Sequence, residues 1–237
     1  MNRRFTLVRL ASGLLLSAFA TATAIAADPA VAVSPPVRDG DRIRFGVVVA
    51  HPPTRTVSFP AILNQTNGLV EYAVVTDYGK THESLLITTA LPMDVQAALL
   101  LLRARPSGTN GLATGTTRVP AGSGIQARVV WTSPSGTPTS VPLSRCFALT
   151  KGGAHAAITG SLKPGPWLFN GSMITPEGFG AHFEGSIIAL ILDPIAILNH
   201  PGPDRDNDDI HIPAAEQLPP LKTEVTVELT VDPPISP

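Results

Sequence analysis

Proline and glycine interrupt this chain so often that a long helix has almost nowhere to form. Twenty-four prolines and 20 glycines are spread over 237 residues. Between them lie short apolar runs rich in Val, Ile and Thr, a spacing that specifies strands joined by turns. The segment from Arg42, with Ile43, Phe45, Val47 and Val49 on one face, is read as a strand. Thr56 to Leu63 and Leu69 to Thr76 follow as its antiparallel neighbours, and Ser84 to Thr89 as a fourth strand. Further strands are expected at Gln126 to Trp131 and Thr139 to Leu143, paired as a hairpin, and at Ala154 to Thr159, Trp167 to Phe169 and Gly185 to Leu192. Glu224 to Val231 alternates Val225, Val227, Leu229 and Val231 with Thr226, Glu228 and Thr230, the pattern of a half-exposed strand. One helix is expected over Met93 to Arg103, with Pro92 in its first turn where the missing N–H costs nothing. Its apolar residues lie on nearly all sides, which predicts deep burial against a sheet. The fold class expected is α+β, mainly β: antiparallel sheets with one or two short buried helices.

The first residues place Arg3, Arg4 and Arg9 ahead of an apolar run from Leu10 to Ile25, with Ala24 and Ala26 spaced A-x-A before Ala27. This is the three-part pattern of an export signal, so residues 1–26 are expected to be removed near Ala26/Ala27 and the product to be periplasmic or secreted, with no stable membrane anchor. The full chain has 17 basic and 18 acidic residues; without the three leader arginines the balance is 14 to 18, a net charge of −4. A weakly acidic chain is a poor binder of nucleic acid. Cys146 is the only cysteine. It permits no internal disulfide and is expected to be a small buried apolar residue.

Residues 27–40, with Pro29, Pro35 and Pro36, form an extended lead-in. A first β-rich half spans 41–106, a Gly- and Thr-rich loop 107–123, and a second β-rich half, packed on the first, 124–237. The halves echo each other. Gly79 to Ser84 precedes an apolar strand and Pro92; Gly180 to Ser186 precedes another and Pro194. That order of parts suggests two related halves.

The stretch from Phe59 to Leu102, and above all Gly79, Lys80, His82, Glu83, Ser84, Leu85 and Leu86, resembles the YdjY domain family of exported bacterial proteins. Gly185 to Asn199 and the acidic run after it are similar to what longer members carry. The resemblance implies an exported single-domain protein and no established activity.

Two constellations could carry chemistry. His82-Glu83 begins like H-E-x-x-H, but Leu86 stands where the second histidine would be, so no zinc-protease motif is present. If the halves are related, His82 and Glu83 could meet His182 and Glu184 across a pseudo-twofold axis and hold a divalent metal. The competing reading has these groups closing hydrogen bonds at turn-to-strand junctions. Asp204, Asp206, Asp208 and Asp209 form D-x-D-x-D-D, a concentration of carboxylates that suits calcium. Asp209 replaces the glycine of an EF-hand loop and Ala215 its closing acid, so the run is not an EF-hand. A solvated acidic turn is the alternative. No nucleophile elbow, phosphate loop or dinucleotide fingerprint occurs. The leading functional expectation is therefore a non-enzymatic domain binding a small ligand or an envelope protein; the alternative is an extracytoplasmic metal-dependent enzyme built on the His–Glu pairs.

Overall fold

Alternation of buried and exposed residues along three long strands determines how this protein closes. The computed structural model describes residues 33–108 and 123–233; the export signal expected over residues 1–26, and most of the Gly- and Thr-rich loop, lie outside the described residues. In chain order the strands are β1 (Val37–Asp39), β2 (Arg42–Phe45), β3 (Val48–His51), β4 (Thr56–Leu63), β5 (Tyr72–Thr76) and β6 (Ser84–Thr88). After helix α1 (Pro92–Leu101) come β7 (Gly124–Thr132), β8 (Pro138–Pro142), β9 (Phe147–Thr150), β10 (Ile158–Ser161) and β11 (Trp167–Phe169). The chain ends with β12 (Ile174–Thr175), β13 (Gly178–Phe179), helix α2 (Gly180–Glu184), β14 (Ser186–Ala189), β15 (Leu198–Asn199), β16 (His211–Pro213) and β17 (Glu224–Val231). The mainly β class with short helices is therefore observed.

Eight of these strands form a closed ring. Its order is β4, β17, β7, β11, β15, β14, β5, β6, and β6 returns to β4. Closure removes free sheet edges, and a ring of this size has an interior that side chains fill. Val57, Phe59, Ala61 and Leu63 of β4, Val225, Val227, Leu229 and Val231 of β17, and Ile125, Ala127 and Val129 of β7 all point into one core. Trp167 and Phe169 of β11 complete it. Cys146 is fully buried beside this core, and burial pushes its thiol up to about 12, as expected of an apolar filler.

Several local expectations change, among them the strand expected at Ala154 to Thr159, where regular pairing begins only at Ile158. The segment from Arg42 is not one strand: Gly46, at φ +55, turns the chain so that Phe45 pairs with Val48 in a hairpin. Val47 is left at the turn, 42% exposed, instead of on the face of Ile43 and Phe45. Regular structure also begins ahead of Arg42, because β1 pairs with β2 and Asp94, in the first turn of α1, accepts hydrogen bonds from both the backbone N–H and the hydroxyl of Ser34. In addition, β5 is not a neighbour of β4; it lies between β6 and β14. Lastly, α1 buries Val95, Ala98 and Leu99 but leaves Leu100 and Leu101 nearly half exposed, since only one side of it meets the sheet.

The ring contains two parallel pairings, β5 with β6 and β14 with β15. Parallel neighbours ordinarily need a crossover of a dozen residues or more, usually a helix. Here the connections are the short segments 77–83 and 190–197, and such tight returns must be pinned. In the second, Asn199 donates to Asn170 Oδ1 and to the Asp193 carbonyl, both at 2.8 Å, and accepts from the Asp193 N–H at 2.7 Å. Asn170 donates in turn to the Ala196 carbonyl at 2.7 Å. Both asparagines are buried, where unpaired amides would be costly.

Candidate functional site

The Gly79-to-Leu86 motif occupies the first tight return. Lys80 Nζ donates to the Tyr72 hydroxyl at 2.8 Å, and that hydroxyl donates to Asp193 Oδ2 at 3.1 Å, joining one crossover to the other. Burial, reinforced by the Asp193 carboxylate, raises the Tyr72 phenol far above its ordinary value, so it stays protonated. Ser84 Oγ donates to the Lys80 carbonyl at 2.8 Å, and Asn64 Nδ2 donates to the carbonyls of Thr81 and Ser84 at 2.6 and 3.0 Å. Leu85 and Leu86 enter the core. Gly79 packs directly on Gly185: a Cβ on Gly185 would stand 2.8 Å from the Gly79 Cα. The motif thus fastens the two crossovers together.

The two echoed segments do approach each other, but not through the residues expected. Tyr78 makes the contact, donating to the His182 carbonyl at 2.8 Å with its ring 6.3 Å from the imidazole. His82 is exposed, its imidazole 3.6 Å from the carboxylate of its neighbour Glu83. His182 is half-buried against Phe183, and burial lowers its pKa despite the opposing pull of Asp94. Glu184 faces solvent. Among the described residues no three His, Cys, Asp or Glu side chains are gathered in a way that could hold a metal ion, so the pseudo-twofold His–Glu site is not assembled.

The acidic run divides likewise. Asp204 turns inward, with Oδ1 3.4 Å from His200 Nε2 and Oδ2 3.2 Å from His211 Nε2. The second distance is hydrogen-bonding. His200 also packs against the Trp167 ring, at 5.6 Å. Burial would raise the Asp204 carboxyl, but its contacts with His200 and His211 hold it well below the usual carboxylate range. Gly202 makes the turn possible, because a Cβ there would collide with both His200 and Asp204. Asp206, Asp208 and Asp209 remain exposed. The structure therefore does not converge Asp204, Asp206 and Asp208 on one point where calcium would sit.

What the protein does present to solvent is a groove of about 700 Å³ on its outer wall. Side-chain alternation explains its floor. Residues that do not point into the barrel point out, and register aligns them across four strands. Ile87 of β6 lies opposite Ile62 of β4, which lies opposite Glu224 of β17. In the next row Pro60 faces Thr226, which faces Val130 of β7. Asp77, whose N–H bonds the Thr88 carbonyl, closes the β6 side, and Trp131 the β7 side. Sequence reasoning missed this site because its floor comes from strands far apart in the chain. The outward parity of Ile62 and Val130 was the available signal.

No protein-family model matches the chain, and neither the curated proteins nor the solved structures contain a match.

Proposed function

We propose that this chain is an exported, non-catalytic binding module of the cell envelope, and that the outer-wall groove is its recognition surface. The observation that carries the reading is the groove itself: a concavity of about 700 Å³ with apolar Pro60, Ile62, Ile87 and Val130 on its floor. Its volume falls within the range of about 300–1,000 Å³ typical of small-molecule sites. Ile62 is 37% exposed, so its contact area is available to a guest. The other polar constellations are absorbed by the fold: Lys80, Tyr72 and Asp193 link the crossovers, and Asp204 links two buried histidines. Export rests on the leader pattern and on the resemblance to the YdjY domain family. Among the described residues no helix is long and apolar enough to cross a membrane.

The reading is tested with an apolar reporter. N-phenyl-1-naphthylamine should brighten on saturable binding to the wild-type protein. The double variant Ile62→Glu, Val130→Glu should bind it about tenfold more weakly, since a guest would then cover unpaired carboxylates. Equal dye affinity in both proteins, or no binding at all, would contradict the proposal.

A further inference from the structure

We infer that the groove selects an organic cation, an ammonium or guanidinium group carried on an apolar body. The inference rests on the proposed binding role and specifies its ligand class. The ionisable side chains lining the groove, Asp77 and Glu224, are both acidic. Both are exposed, and neither makes an ion pair among the described residues. The next outward residue of β7, Arg128, is already held by Glu228 at 2.6 Å. A carboxylate thus stands at the β6 edge and another in the row of Ile87 and Ile62, while Trp131 stands at the β7 edge. The apolar floor receives the guest's body, and the carboxylates attract its charge. An anionic guest meets two like charges, and the lining holds no cationic side chain to offset them.

Trp131 supplies the readout, because its fluorescence reports a guest in the groove, whereas Trp167 is buried in the core. Hexyltrimethylammonium, hexan-1-ol and hexanoate share an apolar chain and differ in head group. The cation should bind about fivefold more tightly than the alcohol, with hexanoate weakest, the scale expected of solvent-exposed charge pairs. Asp77→Asn and Glu224→Gln should each weaken the cation about threefold while leaving the alcohol unchanged, and added salt should narrow the gap. Both positions are exposed, so unchanged melting temperatures are expected and confirm that the variants fold. Equal affinity for the three probes, or a cation preference that survives both substitutions, would overturn the inference while leaving a binding groove. Absence of binding by every probe and by the naphthylamine dye would overturn the binding role as well.

Discussion

Gly185→Ala should destabilise the protein by about 3 kcal/mol or more, the combined scale of forcing a side chain into the left-handed region and overpacking a closed site. Gly185 ends α2 at φ +71, a conformation in which a Cβ meets the following carbonyl. The added methyl would also collide with Thr76 Oγ1 and stand 2.8 Å from the Gly79 Cα and 3.1 Å from the Gly79 nitrogen. Backbone atoms cannot rotate aside as a side chain can. Relief therefore requires parting the two crossovers, which also strains the Thr76 N–H to Gly185 carbonyl bond at 2.8 Å. Urea unfolding followed by circular dichroism measures the loss. Gly160→Ala is the control: its position is exposed and a Cβ there meets nothing within 4 Å, so its stability should stay within about 0.5 kcal/mol of wild type. Equal behaviour of the two variants would show that the crossovers are not locked at Gly79 and Gly185.

Asp204→Ala should cost about 3 kcal/mol, because it removes the carboxylate that faces two buried imidazoles and leaves buried polar atoms without a partner. His200 and His211 are almost wholly buried, and the Asp204 carboxylate faces both. The pH dependence follows from the direction of the shift. The Asp204 carboxyl is held below its ordinary value in the folded state, so its stabilising contribution is present above about pH 4, the unfolded value, and is lost as pH falls toward the folded one. Wild type should accordingly lose stability on acidification faster than Asp204→Asn. Chemical denaturation at a series of pH values checks this. Parallel acid limbs in wild type and Asp204→Asn would show that the carboxylate does not act as described.

How much of this was legible in the residues depended on the range of the interaction that decides each feature. Pro92 marked the start of α1, and the alternation of β17 foretold its inward face, because both are local. The continuous burial of Tyr72 to Thr76 and Ser186 to Ala189 matched their near-uninterrupted apolar character. Ring closure was not legible. It depends on two parallel pairings made through short crossovers, and nothing local in Asp77 to Glu83 says that the chain will turn back beside β5. The Gly79 and Gly180 echo located the two segments that meet, but it pointed to His82 and Glu184 where the contact is made by Tyr78, Gly79 and Gly185. Spacing alone does not report which side of a turn faces the neighbour. The acidic run failed for the same reason: Asp204 looks like Asp206 in sequence, and only the fold places two histidines behind it. The groove was the least legible feature, since it exists only once β6, β4, β17 and β7 stand side by side.

The proposed working surface is the outer wall, and a ligand titration followed by NMR tests that most directly. Hexyltrimethylammonium added to isotopically labelled protein should shift the methyl signals of Ile62, Ile87 and Val130 and the indole N–H of Trp131, saturably and together. Shifts centred instead on His82 and His182, on Leu100 and Leu101 of α1, or nowhere, would contradict it.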